Sequence, residues 1–283
     1  MNDLWIFNPK KEELKQIPCK RSPDLRYGHS AWIAGYYLVL YGGMNEMGEV
    51  LNDVWVFNFL TKEWMKVVMT DKSKVKETPP GMTFSGIVSV FYRGRKDTLN
   101  NDFFGKYVQD QNIDPFLPKS KRQALKDSNI ILEGWYMFGG LTADNDIVND
   151  LYILKIEEGG SKFEWEKVED YNGEAPWERC HHYMEYLELN NSIVIHGGRN
   201  DNQSVSSVLD DMFFLQVDTL TYIKVKYKNK TPAARFSHAC CIQGTKLIIF
   251  GGVGSNFGME QSLEIWEFDT DKFQTNNFTN ILH

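Results

Sequence analysis

Three arginines of this chain each stand three residues before a histidine. The Arg-x-x-His segments are "RYGH" at 26–29, "RCHH" at 179–182 and "RFSH" at 235–238, so that the pairs are Arg26 with His29, Arg179 with His182, and Arg235 with His238. The planar guanidinium fork suits bidentate binding of a carboxylate from a partner. The same fork can brace its own part of the fold through an internal carboxylate or backbone carbonyls. The sequence alone leaves both roles open.

The histidines of these segments raise the question of a metal site, because three converging imidazoles can hold zinc. Residues three apart on a strand face opposite ways, so the histidines do not share a face with the arginines. We therefore predict packed, hydrogen-bonded histidines and neither a metal site nor another cofactor. His181 and His196 are isolated in the sequence and are also predicted to be structural.

Enzyme signatures are missing from the sequence. It contains no Gly-x-Ser-x-Gly, P-loop or His-Glu-x-x-His segment. The acidic run "ADNDIVND" at 143–150 fits turn chemistry better than a calcium loop, since it lacks EF-hand spacing. The four cysteines, Cys19, Cys180, Cys240 and Cys241, show no Cys-x-x-Cys spacing and are predicted to be free thiols. We assign no catalytic residue and predict that the chain is not an enzyme.

Composition excludes two classes of partner. The net charge of −7 over 283 residues argues against nucleic acid and anionic lipid as main partners. No apolar run is long enough to span a membrane, and the polar start "MNDL" does not resemble a signal peptide. Together with free thiols, these features predict an intracellular, cytoplasmic location.

An internal repeat organises the chain. Four apolar segments end in a double glycine: "YYLVLYGG" at 36–43, "GWYMFGG" at 134–140, "SIVIHGG" at 192–198 and "KLIIFGG" at 246–252. Each is followed by a second strand, such as "NDVWVFN" at 52–58, and by a third with an aromatic residue, such as Trp64. The Arg-x-x-His segments precede three of the glycine pairs, whereas "PPGMTFSG" at 79–86 precedes the remaining one. Each unit therefore predicts one four-stranded antiparallel sheet.

This repeat resembles the kelch repeat, whose period is about fifty residues. The resemblance implies an all-β fold, a kelch-type β-propeller of four-stranded blades, as one domain over 1–283. The blades are expected at 21–70, 78–170, 175–228 and 231–279, after a half-blade at 1–20. In such a propeller the paired glycines, which remove side chains where blades approach closely, are structural; they are Gly42, Gly43, Gly139, Gly140, Gly197, Gly198, Gly251 and Gly252.

The N-terminal segment "NDLWIFN" at 2–8 repeats "NDVWVFN" at 52–58. It therefore predicts the outer half of a blade whose two inner strands do not precede it. Either the ring has five blades with a thin first blade, or the chain is part of a longer polypeptide or larger complex. We favour the second, because an unpaired half-blade leaves an exposed edge.

An insertion at 93–128 interrupts the second blade. Eight basic and five acidic side chains give it a charge of +3. The alternatives are a surface loop without a partner and a binding arm, since long loops in compact folds are often functional. Its apolar side chains, which we predict as contact residues, are Phe103, Phe104, Phe116 and Leu117.

The resemblance also implies a function. Arginines near the Arg-x-x-His position line the pocket of kelch propellers that capture acidic peptides or carboxyl termini, which implies this role for Arg26, Arg179 and Arg235. Tyr27 and Phe236 would add stacking or apolar contact. We predict a non-catalytic module, a scaffold or adaptor, that binds another protein through an acidic segment at the rim. The alternatives are an enzyme using the central channel and a structural subunit that contacts neighbours through the insertion.

Overall fold

The structure is a computed structural model that describes residues 3–34, 37–67, 78–90, 134–156, 163–187, 190–201, 207–227, 231–255, 265–269 and 279–280. Its regular structure in these ranges is antiparallel β-sheet. No helix in the described ranges has the length and apolarity that crossing a membrane requires. The whole insertion at 93–128, including Phe103, Phe104, Phe116 and Leu117, lies outside the described residues.

A half-blade and the first complete blade open the chain. The half-blade pairs β1 (Leu4–Asn8) with β2 (Glu13–Ile17). The first blade has the order β4 (Ser30–Ala34), β5 (Tyr37–Tyr41), β7 (Val54–Asn58) and β8 (Glu63–Lys66), and a short ribbon joins β3 (Arg26–Tyr27) to β6 (Met44–Asn45). The "NDLWIFN" segment thus forms the strand that corresponds to β7, as the repeat predicts.

Three further complete blades follow. The second contains β9 (Met82–Thr83), β10 (Gly86–Val90), β11 (Gly134–Thr142), β12 (Ile147–Ile156) and β13 (Phe163–Val168). The third contains β14 (Tyr183–Leu187), β15 (Ser192–His196), β16 (Met212–Gln216) and β17 (Thr221–Lys224). The fourth contains β18 (Arg235–Phe236), β19 (Ala239–Gln243), β20 (Lys246–Phe250), β21 (Val253–Gly254), β22 (Ile265–Asp269) and β23 (Thr279–Asn280).

The first long strand of each blade lies innermost. β4 contacts β10, β10 contacts β14, and β14 contacts β19, while the other strands of each blade follow outward in sequence order. The four complete blades therefore stand around a common axis. The Arg-x-x-His segments precede the innermost strands, and the glycine pairs end the strands beside them, so both lie at the same end of this axis. We call that end the mouth.

The core lies between the blades rather than within them. One cluster joins the first and second blades through residues such as Val39, Val56 and Trp135, and another joins the third and fourth blades through Phe214 and Leu247. The double-glycine strands of the second and third blades, β11 and β15, are therefore packed on both faces, which explains their nearly continuous apolar sequence. Ile193, Val194 and Ile195 of β15, for example, are fully buried.

Candidate binding site at the mouth of the propeller

The four complete blades meet at three junctions: first to second, second to third, and third to fourth. The same type of hydrogen bond joins the blades at each of them, and we call these three the closed junctions. The second glycine of a pair donates its N–H to the carbonyl at the arginine position of the next blade. These bonds are Gly43 to Met82 at 2.8 Å, Gly140 to Arg179 at 2.8 Å and Gly198 to Arg235 at 2.9 Å. An ideal Cβ at the first glycine of each pair would lie 2.3–2.6 Å from that same carbonyl oxygen. The glycine pairs are thus needed where neighbouring backbones meet.

A second series of bonds surrounds the mouth itself. The residue two positions after the arginine position donates its N–H to its counterpart in the preceding blade. Phe84 donates to Gly28 at 2.7 Å, His181 to Phe84 at 3.0 Å and Ser237 to His181 at 2.9 Å. All four have positive φ, from 51° at Ser237 to 64° at Gly28. For Phe84 and His181 this conformation is sparsely populated, and such strain persists where the surroundings fix it.

The three arginines of the Arg-x-x-His segments brace their own blades. Arg26 places Nη1 2.9 Å from the carbonyl of Gly42 and 2.6 Å from Oδ1 of Asp53, and Nη2 lies 3.1 Å from Oδ2 of Asp53. Arg179 repeats this pattern with Gly197 at 3.0 Å and with Asp211 at 2.7 and 3.1 Å. Arg235 donates to the carbonyl of Gly251 at 2.9 Å.

This geometry favours the internal role over the role in partner binding. Arg179 and Arg235 are fully buried and Arg26 is 8% exposed, so a partner carboxylate has no open path to these guanidiniums. Burial by itself would raise the pKa of Asp53, but hydrogen bonds from Arg26 and Trp55 hold that pKa below its ordinary value. The arrangement is therefore a charge-assisted clamp, and we correct the rim role implied for these three residues.

The second blade shows how the clamp is replaced where arginine is missing. Met82 occupies the arginine position and is buried. Asp150, which corresponds to Asp53 in the repeat, pairs instead with Lys167 of the outermost strand at 2.9 Å. The charge of this carboxylate is thus balanced from the neighbouring, outermost strand of the same sheet.

An arc of aromatic side chains lines the mouth. Tyr27, which the sequence proposed for binding, is 55% exposed, and its ring lies 6.4 Å from that of Phe84. Phe84 stacks on His181 with 3.8 Å between centroids and 20° between planes. His181 meets Phe236 edge-on at 5.8 Å, and Phe236 is buried except for 7% of its surface. The guanidinium of Arg199 covers the Phe236 ring at 5.3 Å and pairs with Asp201.

Sequence reasoning missed half of this arc. Tyr27 and Phe236 follow the arginines, but Phe84 lies in the segment without arginine, and the sequence predicts a structural role for His181. The repeat could have pointed to Phe84 and His181. Both stand two positions after the arginine position of their repeat, as Gly28 and Ser237 do. Arg199 directly follows the third glycine pair, a position that carried no signal in the other repeats.

His181 remains neutral at physiological pH. Burial, and then the positive charge of Arg199, lower its pKa to about 4. Its Nδ1 lies 2.9 Å from the hydroxyl of Ser237, and its ring is held between two phenylalanine rings. A neutral, stacked imidazole presents an apolar surface with hydrogen-bonding capacity at its edge, which suits peptide binding better than proton transfer.

The histidines of the Arg-x-x-His segments do not form a common cluster. His29 is exposed, whereas the ring nitrogens of His182 and His238 are buried. His182 and His238 fill the space above glycines: a Cβ at Gly139 would lie 3.1 Å from Cε1 of His182, and one at Gly197 2.9 Å from Cε1 of His238. These contacts agree with the packing role that the sequence predicts for His182 and His238. The exposed His29 does not fit that prediction, and neither ring nitrogen of His182 has a hydrogen-bond partner in the described part of the chain.

Among the residues that the structure describes, one group with metal-ligand chemistry occurs between the third and fourth blades. The possible ligand atoms of His196, His238 and Cys240 lie within 4.8 Å of one another. Nδ1 of His196 is 2.9 Å from Nε2 of His238. This is a hydrogen-bond length, shorter than the roughly 3.3 Å between two nitrogens that share a tetrahedral zinc ion. We interpret the two imidazoles as a hydrogen-bonded pair that joins the blades.

Comparison with known proteins gives the same architecture. Residues 1–102 and 128–281 match the KLHDC2/KLHL20/DRC7 Kelch-repeats domain. Host cell factor 1 of Homo sapiens is 25% identical over 261 residues, covering 81% of this chain and 12% of that protein. An F-box/kelch-repeat protein of Arabidopsis thaliana is 24% identical, covering 89% and 61%. Kelch domain-containing protein 3 of Homo sapiens is 24% identical, covering 88% and 69%. The chain thus spans 12% of the length of the host cell factor relative.

Proposed function

The chain belongs to the kelch-repeat propeller family, and on this premise we propose that it is a non-catalytic module that binds a segment of another protein at its mouth. Proteins of this family with related sequences support a role in protein interaction in general. The single observation that carries the location is the arc Tyr27–Phe84–His181–Phe236. Aromatic rings that are rigidly held and partly open to solvent are typical anchors of protein interfaces.

The strained backbone under the arc supports the same location. Phe84 and His181 hold positive φ, although glycine at the same position of the first blade does so without cost. Bulky side chains at such positions cost free energy, of the order of 1 kcal/mol each. Strain of this kind is concentrated at binding sites, where it orients side chains toward a ligand.

An acidic segment remains the partner chemistry that we propose, with Arg199 as the cation that receives it. The Arg199 side chain is 32% exposed, and it pairs with Asp201, whose side chain is 49% exposed. A carboxylate of the partner would compete with Asp201 for the guanidinium while an adjacent apolar side chain contacts Phe84 or Tyr27. This arrangement would serve a scaffold or adaptor, in which the propeller holds a partner without altering it.

The test compares three variants at equal folded amounts in affinity capture from native lysate. Phe84→Gly removes the central ring and keeps the backbone conformation that Gly28 shows to be acceptable. Arg199→Ala removes the exposed cation. Met65→Ala, at a 53% exposed position of the outermost strand of the first blade, is the matched control. We expect one set of partners to disappear with the first two variants and to remain with the control.

A partner set that is unchanged in all three variants would contradict binding at the mouth. Loss with Phe84→Gly but not with Arg199→Ala would retain the site and reject the acidic segment. The thermal midpoint of each variant, measured beforehand, separates lost binding from lost folding.

A further inference from the structure

The connection between the second and third blades differs in charge from its counterparts. Residues 169–178 lead from the outermost strand of the second blade to Arg179 at the mouth, and they contain no lysine or arginine. Their acidic side chains are Glu169, Asp170, Glu174 and Glu178. The corresponding connections at 18–25, 68–81 and 226–234 each contain more basic than acidic residues. The role of linking two blades therefore does not require this negative charge.

A turn of the second blade adds to the negative charge. The turn at 143–146 has two exposed carboxylates, Asp144 and Asp146. The side-chain amide of Asn149 donates to the carbonyl of Pro176 at 3.1 Å. This bond holds the connection beside the residues that follow the turn, so both groups of carboxylates belong to the same surface.

An exposed tryptophan lies at this surface. Trp177 is 55% exposed, and its backbone carbonyl accepts a hydrogen bond from Nε of Arg179 at 3.0 Å. The first and fourth blades repeat this bond with the carbonyls of Asp24 and Ala233. The repeat thus uses the carbonyl at this position but does not need an indole. Tryptophan at an exposed position of this kind is a frequent anchor of protein interfaces.

The connection is held firmly on the third blade. The N–H of Asn172 donates to the carbonyl of Leu220 at 2.9 Å, and the N–H of Tyr222 donates to the carbonyl of Asn172 at 2.9 Å. Tyr171 is 44% exposed, and its ring lies edge-on to that of Tyr222 with 5.3 Å between centroids. A surface fixed in this way loses little conformational entropy when a partner binds.

We propose that residues 169–178, together with the turn at 143–146, form a second docking surface, which we call the acidic strip, and that its occupant is a basic segment of a partner protein. A lysine or arginine of the partner lies over the Trp177 ring, since indole is the best aromatic partner of a cation. Further cations of the segment pair with Asp170 and Glu174, by charge complementarity.

The acidic strip also limits the length and class of its occupant. The chain from Tyr171 to Trp177 spans at most about 20 Å, so an extended segment of about six residues can follow it. The negative charge repels nucleic acid and anionic lipid. The inference is independent of the site at the mouth, because no residue of the aromatic arc belongs to the acidic strip.

The first test measures binding of a simple basic probe to the whole chain. The probe is a decapeptide of alternating arginine and serine with a neutral fluorophore, and fluorescence anisotropy is recorded at low salt. The same peptide with glutamate in place of arginine should not bind. Trp177→Ala should weaken binding of the arginine peptide about tenfold. Trp5→Ala, which removes another tryptophan of similar exposure, 50%, is the matched control and should leave the affinity unchanged.

The second test distinguishes the acidic strip from the net charge of the protein. Asp170→Asn with Glu174→Gln should lower the affinity about fivefold, since two exposed ion pairs are lost, and should make it less sensitive to salt. Glu13→Gln with Glu63→Gln removes the same charge from exposed positions that begin β2 and β8, and should have little effect. Equal weakening by both pairs, no effect of Trp177→Ala, or no binding of the arginine peptide would overturn the proposal.

Three further outcomes would assign the basic segment or the acidic strip differently, and each would overturn the proposal. Loss of peptide binding with Phe84→Gly but not with Trp177→Ala would place the basic segment at the mouth. Much tighter binding by a chain that lacks residues 95–126 would identify the basic insertion of this chain as the occupant. A dimer in light scattering that Trp177→Ala dissociates would identify a second copy.

Discussion

The half-blade and the outer half of the first blade form a natural pair for comparison. Both contain Asn-Asp-x-Trp-x-Phe-Asn, and both hairpins have the same register, with Asn8 opposite Glu13 and Asn58 opposite Glu63. Asn8 and Asn58 even cap their turns alike, each accepting N–H bonds from residues two and three positions later. Yet one copy is buried and the other exposed. Local sequence thus determines the hairpin, and the neighbouring strands determine whether it becomes core.

The strongest test of this comparison removes the same ring from both copies. Phe57→Ala should destabilise the protein by about 4 kcal/mol, because it deletes a fully buried ring and leaves a cavity. Phe7→Ala should cost less than about 0.5 kcal/mol, since most of that ring is already in water. Urea unfolding of both variants measures the difference. Equal costs would mean that β1 is covered in the folded protein.

The clamp on the carboxylate gives a second, somewhat smaller contrast. Arg26→Met should cost about 3 kcal/mol, because it leaves the half-buried Asp53 without its guanidinium and removes the hydrogen bond to the Gly42 carbonyl. Lys66, at 3.4 Å, then remains as a basic partner of Asp53. Asp3→Asn in the unmodified chain should leave the unfolding midpoint unchanged. If Arg26→Met also left the unfolding midpoint unchanged, the clamp would contribute no stability.

The glycine pairs extend the comparison from strands to junctions. Gly197 and Gly251 have similar φ, 61° and 69°, so alanine is strained by a similar amount at both. Only at Gly197 would the new Cβ also collide with a carbonyl, that of Arg235 at 2.6 Å. We expect Gly197→Ala to cost about 2 to 3 kcal/mol and Gly251→Ala about 1 kcal/mol. If Gly197→Ala and Gly251→Ala had equal midpoints in thermal unfolding, a neighbouring backbone would have to cover Gly251 as it covers Gly197.

The stability of the protein should depend on pH, because His196 is buried at the closed junction between the third and fourth blades. Burial, and then the charges of Arg235 and Arg179, lower the pKa of His196 to about 3. The unfolded chain takes up this proton below about pH 6.5 while the folded chain does not, so the free energy of unfolding falls as pH decreases through this range. Between pH 7 and 5 we expect a loss of about 1 to 2 kcal/mol from this residue.

His196→Phe, which copies Phe138 of the preceding blade, should remove that part of the slope in urea unfolding at pH 7, 6 and 5. Phe250→His places the same imidazole at the exposed counterpart, where its pKa should stay near the ordinary value and the slope should not change. An unaltered slope in His196→Phe would assign the acid sensitivity to other buried histidines, such as His182 and His238.

Much of the fold follows from the sequence, and less of the site. The spacing of Gly42–Gly43 and its counterparts fixed the number and order of strands, because each repeat must build the same sheet. The role of Arg26 could not be chosen from sequence, since bracing and binding need the same residue at the same place. Residues 93–128, where contact side chains were predicted, lie outside the described residues, and the role of that segment stays a prediction.

By itself the sequence determined which segments pair locally. The hairpin that begins with "NDLWIFN" and turns after Asn8 is an example, because its two strands are neighbours in the sequence. Only the tertiary structure decided which side chains are available to a partner. Phe84, His181 and Phe236 come from three blades and meet because the junctions turn successive sheets about one axis. Within the first blade, Arg26 and Asp53 are 27 residues apart in the sequence, and the fold of that blade brings them to 2.6 Å, which directs the guanidinium inward. Distances between blades depend on this packing, which no single repeat encodes.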